Sequence, residues 1–230
     1  MATSATRVFL VRHGATVLSA EDRFAGATDV ALSDLGREQT HRLAGRLQGE
    51  KVSAIFASPM GRTVETADIL AAPHGLEVQT RDGLREISHG HWETLTRREV
   101  DERFPKEASA WEDDPYTFAP EGGESGLAVT ARALPVLLDL VRAHRGEEIM
   151  VVSHKATIRL LLSSLLGFDP RRYRDVLDLK PASLTIMDFK DPTRARLSLF
   201  NDTSHYAEAG NALPAIPEAQ LSRAWNQEPL

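Results

Sequence analysis

Cysteine is absent from the 230 residues of this chain. That excludes disulfides, thiolate nucleophiles and cysteine-ligated metal. No apolar run approaches the roughly 20 residues that a spanning helix requires, so no membrane association is expected. The first six residues, Met1 to Thr6, carry neither the basic segment nor the long apolar stretch of a secretory signal, which makes the cytoplasm the expected compartment. Net positive charge is also lacking: 27 Lys and Arg stand against 33 Asp and Glu, a formal charge of -6. A dedicated nucleic-acid surface is therefore not expected, because phosphate backbones are held chiefly by basic patches.

What is present is ordinary for a globular protein, with 42% hydrophobic and 26% charged residues. The length suits one domain, 1-230, with one substantial core. Four apolar residues, Val8 to Val11, run into Arg12, His13 and Gly14. This pattern reads as a buried strand delivering two polar side chains to the end of a sheet, where Gly14 lets the chain turn tightly. In open α/β sheets the ligand crevice lies outside the carboxyl ends of the strands. A second buried strand, Ile149 to Ser153, repeats the arrangement and hands His154 and Lys155 to a helix over 156-166.

Between and after these strands the pattern alternates. A loop from Thr16 to Ala31 precedes a helix capped by Ser33, with Leu35, Leu43, Ala44 and Leu47 at helical spacing. Val52 to Ser58 is a strand ended by Pro59. Residues 60-72 form a helix with Arg62 in its first turn, where a cation is unfavourable unless an anion lies nearby. Glu77 to Thr80 is a short strand. Residues 88-125, with a short helix over 94-104 and with Trp111, Tyr116 and Phe118, read as a lid or a small satellite core. His89 and His91 lack a third ligand at a recognisable spacing, so no metal is assigned to them. A long helix from Ser125 is expected to face inward through Leu127, Ala131, Leu134, Leu138 and Val141 and to kink at Pro135. Leu184 to Phe189 and Leu197 to Asn201 form an edge hairpin, and residues 206-230 form a surface tail. The alternation predicts an α/β fold: a three-layer αβα sandwich around a mostly parallel, doubly wound sheet, with helices on both faces and a lid insertion over about 88-125.

Into one crevice this arrangement sends Arg12, His13, Arg62, Glu86 and His154. Two guanidiniums and an imidazole can grip phosphate oxygens by charge-assisted bonds. His13 can attack phosphorus in line, and Glu86, kept protonated by burial or by substrate charge, can protonate the leaving oxygen. Arginines and an imidazolium supply the positive charge, so neither metal nor cofactor is called for.

The motifs resemble those of the histidine phosphatase superfamily, the phosphoglycerate-mutase-like fold. Arg12-His13-Gly14 with Thr16, Gly26, Asp29 to Ser33 and Gly36 is similar to its opening block. Ser58-Pro59 with Arg62 and Glu65-Thr66-Ala67 is similar to the second, and Leu84-Arg85-Glu86 to the third. Gly122 to Ser125 resembles the fourth, and Val151 to His154 with Arg159 the last. The resemblance runs in register from about residue 7 to 160. It implies that His13 is the phosphorylated nucleophile, Glu86 the proton donor, and Arg12, Arg62 and His154 the phosphate pocket. A homodimer is the family-based expectation.

Three positions depart from the family pattern. Ser19 stands where an Asn commonly touches phosphate, Ala25 replaces a polar residue, and Lys155 replaces a glycine. Ser19 is carried over as a substrate contact. Lys155, with Arg23, is expected to receive a second anionic group on the substrate. The implied activity is hydrolysis of a small phosphomonoester such as a sugar phosphate, phosphoglycerate or phosphoserine. The alternatives are a phosphoglycerate mutase and a non-catalytic phospho-ligand-binding module. Mutases carry a longer insertion between acid and second histidine, whereas 68 positions separate Glu86 from His154 here. A non-catalytic member would be expected to have lost His13 or Glu86.

Overall fold

A computed structural model describes residues 5-17, 23-208 and 211-212. Six strands form the main sheet: β1 (Thr6–Arg12), β2 (Val52–Ala57), β3 (Val78–Thr80), β4 (Glu148–Ser153), β5 (Leu184–Asp191) and β6 (Arg194–Asp202). Their order is β3-β2-β4-β1-β5-β6. β3, β2, β4 and β1 run parallel, while β5 pairs antiparallel with both β1 and β6. The expected α/β architecture is observed, with its edge hairpin in place. Residues 207-208 and 211-212 form a further two-stranded ladder; the remainder of the expected C-terminal tail lies outside the described residues.

Alternation along the strands builds the layers, because successive side chains point to opposite faces. Val8, Leu10, Phe56, Ile149 and Val151 pack with helices α5 (Gly126–Ala143) and α6 (Lys155–Leu166). Phe9, Val11, Ile55, Met150 and Val152 pack on the other face with α1 (Asp34–Leu47) and α2 (Gly61–Ala71). Burial on both faces explains why β1 and β4 read as continuous apolar runs.

Ser33 caps α1 as expected, its hydroxyl accepting from Gly36 N at 3.1 Å. Gly14 adopts no positive φ, and what it supplies is close approach. A Cβ on Gly14 would lie 2.6 Å from Gly36 O, and one on Gly36 would lie 2.1 Å from Ala15 O. These glycines let α1 press directly against the loop that follows β1.

Two expectations are met in part, for identifiable reasons. α5 buries Val141 as expected, together with Val129, Thr130, Ala133, Leu137 and Leu140, and packs Leu134 and Leu138 against the core, whereas Leu127 is 51% exposed and Ala131 is exposed. Apolar residues surround most of this helix, so its phase is ambiguous in sequence. Its helical hydrogen bonding continues past Pro135 to Ala143. The short helix expected over 94-104 is observed as α3 (Arg97–Arg103), and an unexpected second helix, α4 (Pro105–Asp113), follows it. Pro105 at the first helical position opens the second, a placement that suits its missing N–H. Trp111 joins Phe24, Trp92, Val100 and Ala108 in a separate core, with Phe118 packed against it.

Candidate active site

The β1–β4 register places Arg12 beside Ser153, and His13 N donates to Ser153 O at 3.0 Å. Neighbouring parallel strands therefore release both histidines at the same end of the sheet. The ring centroids lie 5.2 Å apart at 62°.

His13 is 7% exposed, and its Nδ1 donates to Gly14 O at 2.8 Å. That bond sets the tautomer and leaves Nε2 with the free lone pair. Burial, then Arg62 and Arg12, hold the His13 pKa well below the usual imidazole value. His154 is completely buried, with Nε2 2.8 Å from Ser58 Oγ and Nδ1 without a partner. Burial, then His13, Arg62, Arg12 and Arg132, push its pKa down as well. The expected imidazolium is thus absent from the free pocket. Its positive charge resides on guanidiniums, because desolvation and like charge disfavour a protonated ring.

Arg62 is 3% exposed. It donates to Thr28 O at 2.9 Å, Gly26 O at 2.8 Å and Ala25 O at 3.4 Å, with Asp29 at 3.9 Å. Glu93 shapes that loop by accepting from Ala27 N, Thr28 N and the Thr28 hydroxyl. Arg12 donates to Leu179 O, and its Nε has no partner. Burial lowers the Arg12 pKa to about 10, opposed by Glu86 and Asp178.

Glu86 accepts from Ala156 N at 3.1 Å, and from Thr157 N and the Thr157 hydroxyl, each at 3.1 Å. Its carboxyl group thus caps the start of α6, accepting from amides that the helix leaves without partners. Glu86 also enters the fields of Arg12 and Arg62. Arg132 holds the segment behind it, donating to Gly83 O, Arg85 O, Glu86 O and both oxygens of Glu124.

Of the sequence-predicted residues, Arg12, His13, Arg62, Glu86 and His154 converge. Arg23 donates to Thr94 O at 2.8 Å and faces Glu99, whereas Lys155 lies 3.6 Å from Asp178. These two belong to different networks. Ser19 lies outside the described residues. His91 bonds Glu107 at 2.9 Å and stacks on Phe104, while His89 packs edge-on against Phe24. Sequence reading assigned no role to Ser58, Glu93 or Arg132. Ser58 had a usable signal, since it leaves the end of β2 as His13 and His154 leave theirs.

The fold and this pocket define a class, and comparison with known proteins agrees. The chain belongs to the histidine phosphatase superfamily (branch 1), whose family model matches residues 8–203. It is 31% identical to phosphoserine phosphatase 1 of Hydrogenobacter thermophilus, covering 90% of this chain and 99% of that one. A probable phosphoglycerate mutase of Yersinia enterocolitica is 33% identical over 93% of this chain and 99% of its own. The native structure of a mycobacterial glucosyl-3-phosphoglycerate phosphatase superposes with a TM-score of 0.78 at 31% identity. That match covers 86% of this chain and 99% of the other.

Proposed function

We propose that this chain is a metal-independent phosphomonoesterase that hydrolyses small phosphorylated metabolites through a phosphohistidine on His13. The observation that carries the reading is the pair of strand-end imidazoles, 5.2 Å apart, in the field of two buried guanidiniums with one carboxyl group beside them. A neutral His13 with Nδ1–H committed to Gly14 has the protonation state a nucleophile needs. Nε2 attacks phosphorus as the ester oxygen departs and takes a proton from Glu86. Water then attacks the phosphohistidine, returns a proton to Glu86 and releases phosphate. Arg12, Arg62 and His154 hold the non-bridging oxygens, where charge builds in the transition state. Ser19 and Arg23 are assigned as further substrate contacts.

Phosphate release from a panel of small phosphomonoesters, measured in EDTA and paired with rapid acid- and base-quench of enzyme labelled on phosphorus, tests this reading. Turnover in EDTA is expected, with acid-labile, base-stable label on the wild type and neither turnover nor label on His13→Ala. Isomerisation of a phosphoglycerate without phosphate release would instead assign the mutase alternative. Tight binding of phosphomonoesters with no label would assign the non-catalytic one.

A further inference from the structure

Beside the phosphoryl pocket, where α6 begins against residues 177-182, cationic side chains gather around one acid. Asp178 has Lys180 Nζ at 3.1 Å, Arg159 Nη2 at 3.4 Å and Lys155 Nζ at 3.6 Å. Arg12 joins from the pocket side, bonding the carbonyl of Leu179, the next residue. Arg159 is 9% exposed and its Nε has no partner; Arg12 Nε has none either. Lys155 occupies the first turn of α6, where the helix dipole repels a cation. Burial, then Arg159 and Arg12, press the Lys155 pKa down to about 7 against the opposing pull of Asp178.

Desolvated charges of one sign are costly unless matched. One half-exposed carboxylate serves both Lys155 and Arg159, which leaves a cationic surplus. Glu86 already occupies the N–H groups of Ala156 and Thr157, so these amides are not open to an incoming anion, which is left to the cations. The phosphoryl group would engage Arg12, Arg62 and the two histidines, but not Lys155, Arg159 or Lys180.

We propose that Lys155 and Arg159, with Lys180 at the rim, form a second anion subsite adjoining the phosphoryl pocket. On this assignment the substrates are small phosphomonoesters bearing a further carboxylate or phosphate a few bonds from the scissile ester. The assignment rests on reading the His13 pocket as a phosphoryl site, and it narrows the substrate class of that reading. Asp178 is the internal counter-ion that such a group displaces or shares.

Matched substrates test it. O-phosphoserine against O-phosphoethanolamine, and 3-phosphoglycerate against glycerol 1-phosphate, differ in the carboxylate. Propane-1,3-diol bisphosphate against its monophosphate differs in the second phosphate. The expected result is at least about a tenfold preference in kcat/KM for the charged member in one of these arms. Lys155→Met and Arg159→Met each reduce that ratio several-fold, and Lys155→Arg retains it. A wild-type ratio near one in every arm, or a ratio unmoved by both Met variants, overturns the subsite. If no phosphomonoester is turned over, the hydrolytic reading fails instead. Calorimetric Kd ratios for the same pairs then decide the subsite by the same criteria.

Discussion

Arg62 is held chiefly by backbone carbonyls rather than by close carboxylates, and this decides what replaces it badly. Three carbonyls of the loop at 25-28 fix its guanidinium plane, and Glu93 fixes the loop in turn. A lysine keeps the charge but loses the fork that serves several acceptors at once. Arg62→Lys is expected to lower kcat/KM about 10²-fold, the equivalent of one or two charged hydrogen bonds at roughly 1.5–3 kcal/mol each. Steady-state kinetics on p-nitrophenyl phosphate checks this, and a loss below threefold would show that charge alone suffices. Arg12, His13, Arg62, Glu86 and His154 were legible because each stands at or near a strand end or helix start that local pattern reveals. Ser58 shares that strand-end signal, whereas Glu93 and Arg132 were not assigned roles because their partners lie 65 and 46 positions away. No local periodicity encodes such pairings.

β1 and β4 are buried on both faces and flanked by turn residues, so sequence reading located them closely. α5 was located with its inward face only partly assigned, because leucines and valines occupy too much of its circumference to define one face. Its polar residue Arg132 carries the more specific information. Arg132 joins α5 to the segment bearing Glu86 through three carbonyls and the Glu124 carboxylate. It is thus a positioning residue for the proposed acid. An alkoxide leaving group needs that acid's proton, whereas p-nitrophenolate leaves without one. Arg132→Met should therefore slow alkyl phosphates roughly tenfold more than p-nitrophenyl phosphate, a fraction of the ~10²–10⁴ that general acid catalysis supplies. Lysine at this position should restore little, since one ammonium cannot reach all four partners. Equal losses on both substrates would reduce Arg132 to a purely structural role. The Thr96 and Glu99 capping box opening α3 was written in sequence as T-x-x-E. Thr96→Ala should cost about 1 kcal/mol, measured by denaturant unfolding.

The molecule carries a formal charge of -6, yet around the strand ends it concentrates Arg12, Arg62, Lys155 and Arg159. It also buries two histidines in forms that resist protonation. This arrangement makes folding pH-dependent in a definable window. His13, His154, His89 and His205 all have lowered pKa values, the last at about 4 through burial first and then Arg46. Below about pH 6.5 the unfolded chain takes up protons that these folded sites refuse, so stability falls as pH falls. The buried carboxylate Asp188, lowered to about 2 by Arg7, Ser198 and Arg196 against the opposing effect of burial, loses its contribution only under more acidic conditions. A decline in Tm between pH 7 and 5 is therefore attributable to histidine rather than to carboxylates of this kind. Inorganic phosphate supplies the missing negative charge, raises the affinity of the pocket histidines for protons, and stabilises the native state by about 2.7 kcal/mol at 100 times its Kd. Saturating phosphate should both raise Tm and flatten its slope with pH, and a His13→Asn/His154→Asn variant should show a flattened slope that phosphate no longer changes. If the slope is the same with and without phosphate in the wild type, protonation of the strand-end histidines is not coupled to anion binding, and the electrostatic basis assigned to this pocket fails.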